Sequence, residues 1–200
     1  KMPKVRCPND QEGMRFQKRF DQKYKQNPNV FGQEPMPVLK KAIEYVSKGN
    51  ALDLGVGNGR NALYLISNGF SVTGVDMSEE GIKALTKNIP EDTDIKLFVS
   101  DVMSFDTEEK FDLVCAIGLL HFLESSDVKK LINSIKRFTN VGGINVIGAK
   151  MTQNYLGDLP HVFEHEELKN YYNEESWETP VYEELERPRG KIATIISKKV

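Results

Sequence analysis

Three aspartates and a run of alternating glycines carry the chemistry legible in this chain. Asp53-Leu54-Gly55-Val56-Gly57-Asn58-Gly59-Arg60 stands where an apolar run, 50–54, gives way to helical spacing. Asp76 and Asp101 each follow a further apolar run, at 71–75 and 95–99. Glycines at every second position let the main chain turn sharply and admit a ligand directly against the backbone. The helix start beyond the turn offers free N–H groups and a partial positive charge. A glycine loop set between a strand and a helix is a nucleotide-binding arrangement.

The spacing then selects the ligand. A dinucleotide site spaces its glycines G-x-G-x-x-G and sets a pyrophosphate against the helix end. Here the third glycine comes one residue early, and Arg60 fills the place where a close-packing glycine is wanted. Asp53 would repel a pyrophosphate, yet it would attract the cationic amino and sulfonium groups of S-adenosylmethionine. Asp76 is placed to accept hydrogen bonds from both ribose hydroxyls, and Asp101 to bond the adenine amino group. Singly, each has a plainer reading: a tight turn, an N-cap acid before Ser78, a turn residue. Three acids at successive strand ends fit one shared ligand better, because ligands of open α/β sheets bind at the carboxyl ends of the strands.

The elements that position these residues alternate short apolar runs with helical stretches, the pattern of stacked βαβ units. Strands are expected at 50–54, 71–75, 95–99, 111–117 and 144–149. Helices are expected at 60–68 with Gly69 as its stop, at 79–87 capped by Ser78, and at 127–138 with Gly142-Gly143 as the break. Beyond this, 166–172 reads as helical, 177–185 as extended and 191–197 as an alternating strand, so an antiparallel hairpin closes one sheet edge. Residues 1–48 are polar, aromatic and helical in two pieces, split by Asn27-Pro28 and by Pro35 and Pro37. The expected domain organisation is an N-terminal extension or lid at 1–48 and a cofactor-binding domain at 49–200. The expected fold is α/β: a seven-stranded, mostly parallel sheet with an antiparallel last strand and helices on both faces.

Composition agrees with an enzyme of this kind. The 200 residues are 39% hydrophobic and 28% charged, ordinary values for a globular chain. A formal net charge of −2 supplies no field to draw the chain to nucleic acid or an anionic membrane. No run approaches the roughly 20 apolar residues of a membrane helix. Two cysteines, Cys7 and Cys115, make no disulfide framework and suit a reducing cytoplasm; Cys115 lies in an apolar strand and reads as core.

These same residues resemble the class I S-adenosylmethionine-dependent methyltransferases. Gly59-Arg60-Asn61-Ala62-Leu63-Tyr64-Leu65, Thr139-Asn140-Val141-Gly142-Gly143, Glu167-Leu168-Lys169-Asn170-Tyr171-Tyr172 and Ile192-Ala193-Thr194-Ile195 are similar to the tellurite-resistance (TehB-like) group. The resemblance implies a Rossmann-like class I fold and methyl transfer to a small acceptor such as a thiol or chalcogen oxyanion, with S-adenosylhomocysteine as product. It implies that Asp53, Gly55, Gly57, Arg60 and Asn61 surround the methionine part of the cofactor. Asp76 and Met77 would hold the ribose and flank the adenine, Asp101 and Val102 would read its edge, and Ile117 would pack beside it. Phe20, Tyr24, Phe31 and Gly32-Gln33-Glu34-Pro35 look like the N-terminal lid of related enzymes, with Tyr24 over the cofactor. The group's histidine- and arginine-bearing loop corresponds here to Glu186-Arg187-Pro188-Arg189-Gly190, which has no histidine.

Methyl transfer from a sulfonium needs alignment more than acid–base help, so no catalytic side chain is required. His121 and Arg187 are the candidates, His121 as a base or pocket wall against a hydrogen-bonded helix residue. Arg187 and Arg189 could hold an anionic acceptor, against plain surface arginines. His161 and His165 could suggest a metal pair, but no third ligand is near and Pro160 disfavours a helix there; no metal is expected. Phe163 either lines the acceptor pocket or packs in the core. A non-catalytic S-adenosylmethionine-binding protein and an NAD-dependent oxidoreductase are the competing readings.

Overall fold

The computed structural model describes residues 11–153 and 159–200; Cys7 and the Lys1-Met2 start lie outside them. Its elements, in chain order, are α1 (Gln11–Gln26), α2 (Pro37–Ala42), β1 (Asn50–Leu54), α3 (Arg60–Ser67), β2 (Ser71–Asp76), α4 (Glu79–Thr86) and β3 (Ile95–Val99). There follow β4 (Phe111–Ile117), a 3-10 turn (Leu120–Phe122), α5 (Ser125–Phe138), β5 (Thr139–Lys150), α6 (Glu167–Asn170), β6 (Trp177–Leu185) and β7 (Ile192–Lys199). The strands form a seven-stranded sheet in the order β3-β2-β1-β4-β5-β7-β6. The chain divides into two compact units, one of residues 1–35 with 48–107 and one of residues 36–47 with 108–200.

In the first unit β1, β2 and β3 pair in parallel, Asp53 opposite Gly74 and Asp76 opposite Val99. β1 and β2 are buried almost throughout, as continuous apolar runs in a covered parallel sheet should be, while β3, at the sheet edge, is only partly buried. Leu65 of α3 and Leu85 of α4 are fully buried with Leu52, Leu54 and Val75. Ser78 caps α4, its hydroxyl accepting from Gly81 N at 3.0 Å, with Glu79 and Glu80 in the first turn. Both acids complement the helix dipole.

In the second unit β4 and β5 are parallel, while β7 runs antiparallel to both β5 and β6. The expected late hairpin is present, and β7 is the reversed strand. One boundary differs from expectation. α5 already ends at Phe138, and Thr139 is the first residue of β5, so Gly142-Gly143 breaks no helix. Instead the pairing jumps from Phe111↔Thr139 to Leu113↔Ile144, and the intervening loop swells out of the strand with Gly142 at φ +81° and Val141 78% exposed. Thr139 fixes the corner: its Oγ1 donates to Ile135 O at 2.7 Å and accepts from Asn145 Nδ2. Cys115 is fully buried in β4. No helix among the described residues is long and apolar enough to cross a membrane.

Candidate functional site

The glycine turn follows β1 directly. Gly55 and Val56 donate their N–H groups to Val75 O at 2.8 and 3.1 Å, which ties the turn to the end of β2. Gly55, Gly57 and Gly59 all have positive φ, which L side chains rarely adopt. At Gly57 a second constraint applies: a Cβ there would collide with the Tyr24 hydroxyl. Tyr24 therefore lies directly against the bare backbone at Gly57.

Asp76, the last residue of β2, closes the turn from below. One carboxylate oxygen accepts from Gly57 N and the other from Ser78 N, both at 2.8 Å. Each oxygen has further acceptor capacity, so ribose hydroxyls could bond it without displacing either contact. Burial raises this carboxyl to about 6, against the lowering effect of the two N–H donors. Asp53 is buried at 1% exposure, and its charge acts on Arg60. Arg60 opens α3, and its guanidinium donates to Phe31 O at 2.7 Å. Asn61 behind it is buried.

Asp101 follows β3, largely buried, and accepts from Met103 N at 3.0 Å in a local turn; Val102 is buried beside it. Met77 is half-buried, and its carbonyl receives the Gln17 side-chain amide at 3.1 Å. Ten of the eleven residues expected at the cofactor lie in the first unit: Tyr24, Asp53, Gly55, Gly57, Arg60, Asn61, Asp76, Met77, Asp101 and Val102. Ile117, the eleventh, is buried at the end of β4 in the second unit.

The N-terminal segment is bound to this turn by contacts that local spacing did not disclose. Asn58 donates its side-chain amide to Pro28 O and Gly32 O, each at 3.1 Å. Asp21 of α1 accepts from Ser78 Oγ at 2.7 Å and from Glu80 N at 3.2 Å. Phe31 packs edge-on against Tyr24, ring centroids 5.7 Å apart, and Phe20 lies 6.1 Å from Phe31. The Tyr24 phenol is raised well above its usual range, by burial first and then by the Asp76 charge.

The second unit holds the other candidates. His121, in the 3-10 turn after β4, is 4% exposed. Its Nδ1 accepts from Lys150 N at 3.4 Å, which leaves the proton on Nε2. Burial lowers its pKa to about 3, so it is a neutral donor and a weak base at neutral pH. Arg187 and Arg189 are exposed in the β6–β7 loop. His161 and His165 point to different carboxylates: His161 bonds Glu167 at 2.8 Å and Ser125 at 2.9 Å, and His165 bonds Glu184 at 3.0 Å. No cluster of three or more metal-ligating side chains occurs among the described residues. Phe163 is buried, with His161 edge-on at 4.5 Å.

The chain matches the family model described as tellurite resistance protein TehB over residues 14–187. It is 33% identical over 173 residues to a probable S-adenosyl-L-methionine-dependent methyltransferase TehB of Haemophilus influenzae, a match covering 79% of this chain and 60% of that protein. The match therefore spans about three fifths of that relative's length. The crystal structure of TehB from Haemophilus influenzae superposes with a TM-score of 0.76 at 28% identity, covering 90% of this chain and 67% of the other. A 1,6-didemethyltoxoflavin-N1-methyltransferase of Burkholderia thailandensis, solved with S-adenosylhomocysteine, gives a TM-score of 0.76 at 18% identity over 100% of this chain and 95% of its own. That second likeness is one of fold: a class I methyltransferase sheet with helices around it.

Proposed function

The chain belongs to the tellurite resistance protein TehB family, and from that premise we propose that it is an S-adenosylmethionine-dependent methyltransferase acting on a small-molecule acceptor. The observation that carries the reading is the pair of carboxylates, Asp53 and Asp76, set around a glycine turn whose nearest cation, Arg60, is engaged by Phe31 O. A diphosphate on that turn would face two negative groups, at a cost of several kcal/mol where water is largely excluded. A sulfonium with an amino group and a ribose meets them as partners.

The residues fit that cofactor. Asp53 would attract its amino group, and the tight glycine turn would let it lie against the main chain. Asp76 would accept its ribose hydroxyls, Met77 would flank the adenine, and Asp101 with Val102 would read the adenine edge. Tyr24 and Phe31 would cover the site from residues 1–48, which we read as a lid, since aromatic rings attract a cationic sulfur and keep water out. When bound, the cofactor supplies a methyl group activated by positive sulfur. The chain's own work is to hold the acceptor in line and dry, which suffices for a soft nucleophile without a general base. A small acceptor and a cytoplasmic setting agree with the enclosed site and the near-neutral charge.

Calorimetric titration separates this from the dinucleotide reading. S-adenosylhomocysteine should bind and NADH should not; binding of NADH alone would overturn the proposal. A screen of thiols, oxyanions, amines and carboxylates, read by S-adenosylhomocysteine release, then identifies the acceptor class.

A further inference from the structure

Within the second unit a serine, a histidine and a glutamate stand in line. Ser125 Oγ lies 2.9 Å from His161 Nδ1, and His161 Nε2 lies 2.8 Å from Glu167 Oε1. Both distances are within the reach that joins a nucleophile to its base and the base to the acid that orients it. Three separate places in the chain supply the three groups: Ser125 opens α5, Glu167 opens α6, and His161 lies in the segment between β5 and α6.

The acid sets the direction of the two bonds. An ionised carboxylate only accepts, so Glu167 takes the proton on Nε2. The neutral ring then offers Nδ1 as an acceptor, and the Ser125 hydroxyl donates to it. Glu167 is itself held: Oε2 accepts from Glu164 N at 2.9 Å, and Oε1 also accepts from the Tyr171 hydroxyl at 3.3 Å. The buried Phe163 ring meets the imidazole edge-on at 4.5 Å, so the base is braced on a third side. The histidine side chain is only 12% exposed, whereas Ser125 is exposed. The base is sheltered and the hydroxyl is presented to solutes. Ser125 also begins a helix of 14 residues, and the first N–H groups of a helix have no intrahelical partner. Those of Ser125 and Ser126 adjoin the hydroxyl, where an acyl oxygen would gain charge.

We propose that Ser125 is a nucleophile activated by His161 and oriented through Glu167, and that it hydrolyses small neutral carboxylic esters. Oγ bonds to the ester carbonyl carbon as its proton passes to His161 Nδ1. The ester C–O bond breaks, and the leaving alcohol takes that proton. Water then attacks the acyl-serine carbon and gives a proton to His161, which returns it to Oγ as the carboxylic acid departs. Nothing is oxidised or reduced. A neutral acyl group is favoured because Glu124 and Asp127 flank Ser125 in the chain and would repel an anionic one. This activity is independent of the methyltransferase reading.

The test follows p-nitrophenolate release from p-nitrophenyl acetate by the full chain, with acid-quenched samples mapped by mass spectrometry. Release should exceed one equivalent, and the acetyl group should be found on Ser125. Ser125→Ala should lower release to that of the urea-unfolded chain. His161→Gln should slow it by about 100-fold or more, the scale of a positioned general base. Glu167→Gln should slow it less, since the ring stays near the hydroxyl while its tautomer is no longer fixed. Variants are compared at matching near-UV circular dichroism, so that lost folding is not read as lost chemistry. Release that stops at one equivalent, an acetyl group only on other residues, or the parent rate in Ser125→Ala or His161→Gln overturns the proposal. The three side chains would then serve only to clasp α5 to α6.

Discussion

At the scale of single residues, Asp76 has the most to lose. Its carboxylate joins the end of β2 to the glycine turn through Gly57 N and to α4 through Ser78 N. Burial raises it from 3.8 to about 6, so the folded chain holds this proton more tightly than the unfolded one. The stability it contributes is present below about pH 4 and is lost as pH rises through about 6. Asp76→Asn should therefore be more stable relative to the parent at pH 7 than at pH 5, by urea melting, and a constant difference would remove the shift. The same variant should bind S-adenosylhomocysteine about 1–3 kcal/mol more weakly at pH 7, the scale of losing a ligand's buried acceptor. The strand-end places of Asp53, Asp76 and Asp101 and the turn at Gly57 were legible because apolar runs and a glycine run mark them, whatever they bind. Asp21 and Asn58 were not, since their partners lie 57 and 26 to 30 residues away and no local pattern encodes such a bond.

At the scale of elements, β1 and β4 have the bounds that hydrophobic runs imply, because a strand covered on both faces is written as one apolar block; β3 and β6, the two edge strands, also keep the expected bounds while only partly buried. β5 is longer than its apolar block. Its first residues are polar and glycine-rich, and they belong to the strand only through pairing of Thr139 with Phe111. The residues from Asn27 to Pro35 form a connection between α1 and α2 whose place depends on Asn58. That side chain bonds two carbonyls of the connection, so it acts as a clasp between the turn and the covering segment. Asn58→Ala should release it. The expected outcomes are faster proteolytic cleavage near Phe31 and lower turnover, with a stability loss of about 0.5–1.5 kcal/mol, the scale of an ordinary hydrogen bond lost at a partly exposed site. Cleavage at the parent rate would mean that the clasp does not hold the segment.

At the scale of the whole molecule, the strand order β3-β2-β1-β4-β5-β7-β6 follows from alternating strands and helices up to β5 and from a final hairpin. The insertion of β7 between β5 and β6 is the step that periodicity cannot supply, because either hairpin strand could have paired with β5. The apolar run of β7 decides it physically: Ala193, Ile195 and Ile196 are fully buried, which a central strand satisfies and an edge strand would not. The proposed cofactor contacts all fall between Tyr24 and Ile117, so these 200 residues should bind without the remainder of the length found in the relatives. Ligand at about 100 times its Kd adds about 2.7 kcal/mol to stability. For a chain of this size that corresponds to a rise in Tm of roughly 5–10 °C. Thermal melting with S-adenosylhomocysteine should show that rise in the parent and much less of it in Asp76→Asn. An equal rise in both would place the ligand away from the glycine turn, because a carboxylate that bonds the ribose cannot be neutralised without loss.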